Sequence, residues 1–159
     1  MKTLPMDMTR KSLHREIPSR LAEADLLCQE IRSLLEENGL AAVCFPVELL
    51  AREFLKNAIV HGNGRDDRKK VALKLHIGRK WIHLQVIDEG PGFNWRKARR
   101  APPPHNTAVS GRGLSIAALY AQRITFSQRG NQVTLWLNKV NKNKNQGGPK
   151  KHGRIYDRT

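Results

Sequence analysis

The spacing of apolar and polar residues along this chain predicts five strands and three helices. A period of two is typical of a strand that buries one face, and steps of three and four residues are typical of a helix. The alternating runs are residues 12–18, 71–77, 81–88, 123–128 and 132–138. Helical spacing marks residues 19–38, 46–61 and 111–122. The predicted order is therefore strand, two helices, two strands, loop, helix, two strands.

Short turns join two pairs of these strands. Gly78-Arg79-Lys80 separates the second strand from the third, and Gly130-Asn131 separates the last two. Hairpins rather than crossovers imply a largely antiparallel sheet. We therefore expect an α+β fold, a two-layer α/β sandwich in which helices cover one face of a mixed, mostly antiparallel sheet.

Capping signals mark the ends of the first two helices. Ser19 is predicted to cap the first helix and Gly39 to end it. Pro46 fits the first turn of the second helix, and Gly62 is placed to end it. The predicted inward stripe of the first helix consists of Leu21, Ala24, Cys28, Ile31 and Leu35.

A line of polar side chains runs along the second helix. Glu53, Asn57 and His61 stand four residues apart, so they stack on one side of a regular helix with about 6 Å of rise between them. An acid, an amide and an imidazole in register could hold a metal ion and a reacting hydroxyl together. A solvated polar face is the alternative, and this line alone does not exclude it.

Two glycine-containing motifs follow. The strand ending at Asp88 continues as Glu89-Gly90-Pro91-Gly92. A carboxylate at a strand end can accept a hydrogen bond from an exocyclic amine such as that of adenine, and glycines let a flat ring approach the backbone. An ordinary acidic turn is the alternative explanation.

The second glycine motif, Gly111-Arg112-Gly113-Leu114, opens the third helix. Free backbone N–H groups at a helix start form a cradle for phosphate. The motif is not a Walker A loop, because no Gly-Lys-Ser/Thr follows. It is not a Rossmann fingerprint, because Ile116 stands where the third glycine would fall.

Composition narrows the class of protein and its partners. A chain of 159 residues suffices for one domain with its own core, and its net charge of +15 favours anionic partners: nucleic acid, nucleotide or an acidic protein surface. Cys28, on a predicted helix stripe, and Cys44, in a predicted connection, suggest a reducing compartment and no zinc site. No apolar run approaches the ~20 residues of a membrane span, and no signal peptide is evident. We therefore expect a cytoplasmic protein without a membrane anchor.

Three segments lie outside the predicted strands and helices. Residues 1–11 are expected to form a flexible leader, and residues 139–159 a disordered basic tail with seven Lys or Arg against one Asp. Residues 93–110 are rich in Arg, Lys and Pro without periodicity, which predicts a long loop of the functional-lid or disordered kind. The predicted folded domain is 12–138.

Taken together, the three motifs resemble the N, G1 and G2 boxes of the GHKL (Bergerat) ATP-binding fold. The matching motifs are Glu53-x-x-x-Asn57-x-x-x-His61-Gly62, Asp88-x-Gly90-x-Gly92 and Gly111-x-Gly113-Leu114. Over residues 12–138 the chain also resembles the anti-sigma-factor serine kinases of the RsbW and SpoIIAB type. Those proteins likewise begin with a strand and a long helix before the N box.

The resemblance implies a role for each matching residue. Glu53 would be the general base, Asn57 would bind Mg²⁺ through its amide oxygen, and Asp88 would read the adenine amine. Residues 93–110 would be the ATP lid. The residues that would surround the ring and phosphates of ATP are Gly90, Gly92, Gly111, Arg112, Gly113 and Leu114.

The resemblance also implies a function and partners. The chain would be an ATP-dependent serine kinase that phosphorylates an anti-anti-sigma (STAS-type) protein, sequesters a sigma factor and forms a homodimer. It departs from the family in its charge and basic tail. It also departs in Val109-Ser110, where some members carry a basic residue.

Three alternatives remain open at this point. The chain could be an ATP-binding module that grips a partner without phosphorylating it, although pure binding has no need of Glu53 as a base. It could be a detached catalytic domain of a histidine kinase that acts in trans. Nucleic-acid binding would depend on the basic tail alone, because the three tryptophans are scattered in the sequence and predict no stacking platform.

Overall fold

A computed structural model describes residues 11–100 and 112–140 of the chain, with no account of the side chains of residues 98–100 and 112. The predictions for residues 1–10, 101–111 and 141–159 lie outside the described residues. They concern most of the leader, much of the lid, Gly111 and nearly all of the tail.

The five predicted strands are present and form one sheet. They are β1 (Ser12–Pro18), β2 (Lys70–Ile77), β3 (Trp81–Asp88), β4 (Arg123–Phe126) and β5 (Gln132–Asn138). Their order in the sheet is β1-β2-β3-β5-β4, and each neighbouring pair is antiparallel. The prediction of a mostly antiparallel sheet is confirmed.

Four α-helices are described, and two shorter helical turns flank the second. The helices are α1 (Leu21–Glu37), α2 (Cys44–Asn57), α3 (Trp95–Arg100) and α4 (Arg112–Tyr120). A 3₁₀ turn (Ala41–Val43) precedes α2, and a π-helical turn (Ala58–Gly62) follows it. None of the described helices is long and apolar enough to cross a membrane.

The core lies between one face of the sheet and the helices. Alternate residues of β2, β3 and β5 are buried, in agreement with the period of two. The helices α1, α2 and α4 contribute the facing apolar residues, and the other sheet face carries mostly half-buried or exposed side chains, with Thr125 buried. The α+β architecture with helices on one face is confirmed. The largest fully buried side chains are those of Ile31, Leu34, Leu35, Leu50, Leu55, Ile59, Leu73, Leu75, Ile82, Leu84, Ile124 and Leu135.

The predicted start of the first helix was wrong. The N-cap position belongs to Arg20, and no side chain caps it. The hydroxyl of Ser19 instead donates a hydrogen bond to the carbonyl of Lys69, and the side chain is buried. Leu21 is 39% exposed and so leaves the inward stripe, whose other predicted members are buried. Gly39 ends the helix with a φ of +68°, as predicted.

Two further boundaries also differ from prediction. Cys44 begins α2 rather than lying in a connection. Residues 95–100, expected to belong to a long loop, form α3. The side-chain oxygen of Asn94 accepts a hydrogen bond from the Lys97 N–H and so supplies an N-cap. The buried ring of Trp95 holds this helix on the sheet, stacked 5.6 Å from that of Phe126.

Candidate nucleotide-binding site

A cavity of about 260 Å³ opens where the end of α2, the end of β3, the start of α4 and the β4–β5 turn converge. Most of its lining is apolar, and a few polar groups project into it. Such a composition is typical of sites for small organic ligands. Its lining includes Phe54, Asn57, Gly62, Asp88, Phe93 and Asn131.

The polar line on α2 is only partly brought to the cavity. Asn57 and His61 line it, whereas Glu53 does not. Glu53 lies half-buried on α2, one helical turn before Asn57. The prediction assumed a regular helix through residue 61, but Ala58–Gly62 is a π-helical turn closed by a hydrogen bond from the Asn63 N–H to the Ala58 carbonyl. Single π-helical turns of this kind are frequent at functional sites.

The start of α4 approaches Asn57 closely. A β-carbon added to Gly113 would lie 3.1 Å from Nδ2 of Asn57, so the missing side chain leaves room for the amide. Leu114 lines the cavity as well. Gly111 and the side chain of Arg112 lie outside the described part of the chain. The described half of this motif therefore sits beside Asn57, where a helix N-terminus can face an anionic group.

Asp88 is the last residue of β3, and its carboxyl is partly buried at the cavity. Its Oδ1 accepts a hydrogen bond of 2.8 Å from the Gly90 N–H. Burial raises the pKa of the Asp88 carboxyl above its ordinary value, against the opposing effects of that hydrogen bond and the charges of Arg129 and Lys69. A raised pKa in a cleft is typical of functional carboxyl groups.

Two glycines form the surface against which the Asp88 carboxyl packs. A β-carbon at Gly62 would lie 2.4 Å from Cγ of Asp88, and one at Gly90 would lie 2.0 Å from the carbonyl oxygen of Gly62. Gly62 was predicted only to end the helix. The structure adds a second reason for glycine here, because any larger residue would displace the carboxyl.

We expect Gly62→Ala to weaken ATP binding by about 10-fold and to lower the free energy of unfolding by about 1–3 kcal/mol, the usual cost of overpacking. Gly62 does not have a positive φ, so backbone strain does not contribute. Calorimetric titration and thermal unfolding measure both effects. Gly78→Ala is the matched control, because its β-carbon would meet the Trp81 carbonyl at 3.2 Å and the His76 ring at 3.9 Å, at the opposite end of β3 from Asp88. Unchanged ATP affinity in Gly62→Ala would contradict the packing argument.

The β4–β5 turn supplies site residues that were not predicted from the sequence. Asp88 donates its N–H to the Asn131 carbonyl at 2.9 Å, and Nδ2 of Asn131 donates to the Asp88 carbonyl at 3.0 Å. Asn131 also lines the cavity. The only sequence signal was Gly130-Asn131, which predicted a turn but not its neighbours.

Glycines also let this turn pack against the segment after Asp88. Gly92 has a φ of +80°, and a β-carbon there would lie 1.9 Å from the Arg129 carbonyl. Gly130 has a φ of +83°, and a β-carbon there would lie 2.2 Å from the carbonyl of Phe93. Both glycines were expected from turn or motif patterns. Only the structure shows that each packs against the residue next to the other.

The fold is an α+β domain whose five-stranded antiparallel sheet is covered by helices on one face. A family model described as a histidine kinase-like ATPase domain matches residues 17–137. The match covers most of the chain, which therefore belongs to the histidine kinase-like ATPase family, within the GHKL superfamily. Comparison with curated proteins finds no match.

Proposed function

We propose that this chain is an ATP-dependent protein serine kinase that acts as an anti-sigma factor. The observation that carries the proposal is the placement of Glu53 on α2, one helical turn before Asn57, which lines the same cavity as Asp88. A carboxylate beside the cavity, rather than inside it, is reachable by a hydroxyl group on another protein. Membership of the ATPase family supports the ATP-binding part of the proposal.

In this proposal Asp88 accepts a hydrogen bond from the exocyclic amine of adenine. The apolar side chains of Phe54, Val86 and Phe126 lie around the cavity and would bury the ring. The backbone at Gly90 and Gly92 would lie beside the ring. The backbone N–H groups at the start of α4, from Gly111 to Leu114, would face the phosphates with help from Arg112.

The donor set fits Mg²⁺ as the accompanying ion. The amide of Asn57 lines the cavity, and an amide oxygen is the kind of hard ligand that Mg²⁺ takes. Within residues 11–100 and 112–140, no cluster of three or more His, Cys, Asp or Glu side chains could hold a metal. Mg²⁺ usually binds through one or two protein oxygens together with substrate phosphates and water, so no larger cluster is needed. When bound, the ion neutralises charge on the phosphates.

The proposed reaction transfers the γ-phosphoryl group to a serine hydroxyl of a partner. Glu53 takes the hydroxyl proton while the serine oxygen bonds to the γ-phosphorus. The bond from that phosphorus to the bridging oxygen breaks, and ADP leaves. Positioning and electrostatic stabilisation account for most of the catalysis in such transfers, so one base and a cationic phosphate site suffice.

The proposed partners come from the resemblance to the anti-sigma-factor branch. Its support here is the N-box phrase of residues 53–62 and the presence of β1 and the long α1 before it. The substrate would be a STAS-type anti-anti-sigma protein, the sequestered partner a sigma factor, and the kinase a homodimer. We place the protein in the cytoplasm.

A second candidate is a regulatory module that binds ATP and a partner without transferring phosphate. The observation in its favour is that Glu53 does not line the cavity. In this candidate nucleotide binding would control the partner's affinity, and Glu53 would be a solvated surface carboxylate.

Phosphate transfer distinguishes the two candidates. The purified chain is incubated with γ-labelled ATP, Mg²⁺ and each STAS-type protein encoded in the same genome, and the modified residue is mapped. We expect phosphoserine on one of them. ATP binding without transfer to any of these proteins would overturn the kinase and favour the regulatory module.

A further inference from the structure

The side-chain amide of Asn63, which is buried outside the cavity, connects the end of α2 to the end of β3. Asn63 is 3% exposed and follows the π-helical turn directly. Its Oδ1 accepts a hydrogen bond of 2.8 Å from the N–H of Glu89, which is the residue after Asp88. Its Nδ2 donates to the Lys70 carbonyl at 2.8 Å and to the Ser19 hydroxyl at 2.9 Å.

The orientation of the Asn63 amide is fixed by its partners. The Glu89 N–H can only donate, so the atom facing it must be an oxygen. The Lys70 carbonyl can only accept, so the atom facing it must be the NH₂ group. The Ser19 hydroxyl donates to the Lys69 carbonyl and therefore accepts from Asn63. Three well-formed hydrogen bonds thus hold one buried side chain in a single orientation.

These bonds bridge chain segments that are distant in sequence. Asn63 lies 26 residues from Glu89 and 44 from Ser19. The Asn63 N–H also closes the turn on the Ala58 carbonyl, so the residue is tied to the end of α2 through its backbone and to β3 through its side chain. Between these two ties, the Asp88 carboxyl packs against Gly62.

We infer that Asn63 is a positioning residue, which sets the Asp88 carboxyl relative to Asn57 and so determines the preference for the adenine base. The inference rests on the proposed function, in which Asp88 reads the base. Without the bond to Glu89, the end of β3 keeps its anchors to β2 and Asn131 but loses the one to the end of α2. The carboxyl then no longer faces the exocyclic amine at a fixed distance, while the phosphate side of the site is unchanged.

The test compares binding of ADP and GDP, with Mg²⁺, to the full chain by titration calorimetry. The wild type is expected to prefer ADP, because the guanine carbonyl would face the Asp88 carboxylate as a second acceptor. In Asn63→Ala we expect ADP affinity to fall by about 10-fold or more, while GDP affinity changes little, so the preference shrinks.

Ser19→Ala is the matched control, because it removes two bonds of the same buried network, those to Asn63 and to the Lys69 carbonyl, and leaves the bond to Glu89 intact. It should lower the unfolding temperature as Asn63→Ala does, but keep the ADP preference. If Asn63→Ala does not fold, Asn63→Ser replaces it in the test. This variant removes the bond to Glu89 but leaves a buried hydroxyl, and we expect the same loss of preference for ADP over GDP.

Each outcome has a distinct meaning. A wild type that prefers ADP and an Asn63 variant that keeps this preference would overturn the positioning role alone. Equal loss of preference in Ser19→Ala would also overturn it, because general loosening would then explain the effect. A wild type that binds no ADP would overturn the proposed function and this inference with it.

Discussion

Asp88→Asn should weaken ATP binding by about 100-fold without destabilising the fold. The substituted amide can present its NH₂ group to the adenine amine, so a charge-assisted hydrogen bond is replaced by two facing donors, at a cost of about 3 kcal/mol. The side-chain oxygen can still accept from the Gly90 N–H. Titration with ATP and Mg²⁺ measures the loss.

Asp88→Asn should not lower the stability of the folded protein, although it weakens ATP binding. Burial raises the pKa of Asp88 in the folded state, so folding favours its protonated form. The stability linked to this group is therefore present below the unfolded pKa and is lost as the pH rises through the folded pKa. Above the folded pKa the ionised carboxyl lowers stability, and there Asp88→Asn should unfold at the same temperature as the wild type or higher.

Asp67→Asn is the control for this substitution. It removes the same charge from an exposed carboxylate in the turn before β2, where Asp67 pairs only with Arg20 among the described residues. Its ATP affinity should equal that of the wild type. An Asp88→Asn variant that binds ATP as tightly as the wild type would contradict the assignment of Asp88 as the residue that reads the base.

The pH dependence of ATP binding follows from the same group. The carboxylate accepts from adenine only when ionised, so affinity should fall as the pH falls through the raised pKa of Asp88. The fall should therefore begin at a higher pH than for an ordinary aspartate. The Asp88→Asn variant should lack this acid limb, and a wild-type affinity that is flat through the acid range would contradict the argument.

Glu53→Ala should retain ATP binding and lose phosphate transfer by a factor of about 10²–10⁴, the usual contribution of a general base. Glu53 does not line the cavity, so its removal leaves the nucleotide contacts in place. Single-turnover transfer to the STAS-type substrate measures the rate, and titration measures the affinity.

The control for Glu53→Ala is Glu37→Ala, at the exposed end of α1. The rate of phosphate transfer and the affinity for ATP should both be unchanged in that variant. If Glu53→Ala transferred phosphate at the wild-type rate, Glu53 would not be the base. If it lost ATP binding as well, its role would be structural.

The sheet was predictable because its strands are buried on one face only. The period of two in Val71, Leu73, Leu75 and Ile77 follows directly from that burial, and β2 starts within one residue of its predicted position. The start of α1 was not predictable in this way. Ser19 has the residue type of an N-cap, but its hydroxyl is used by the distant backbone of Lys69. Tertiary contacts overrode a local preference.

The helix α3 was missed for a similar reason. Six residues are too few to establish a helical period, and the helix depends on the packing of Trp95 against Phe126. The indole N–H of Trp95 also donates to the Ser127 carbonyl, 32 residues away. The Asn94 cap was the one local signal, and in a sequence rich in Arg, Lys and Pro it did not stand out.

The site was predictable where its residues form compact motifs. Asn57, Asp88 and Gly113 were singled out from three separate stretches of sequence, and the structure brings all three to one cavity. Asn63 and Asn131 contact the end of β3 from 26 and 43 residues away, and neither belongs to these motifs. Their residue types are ordinary for turns, so only the fold reveals their place in the site.

Hydrogen exchange of the full chain, with and without ATP and Mg²⁺, tests whether ATP binds in the cavity between α2, β3 and α4. If it does, the backbone N–H groups at the end of α2, after β3 and at the start of α4 exchange more slowly when ATP is bound. These groups belong to Ala58–Gly62, to Gly90, Gly92 and Phe93, and to Gly113 and Leu114. Protection confined to the exposed face of β1 and β2, or no protection at saturating ATP, would contradict ATP binding in this cavity.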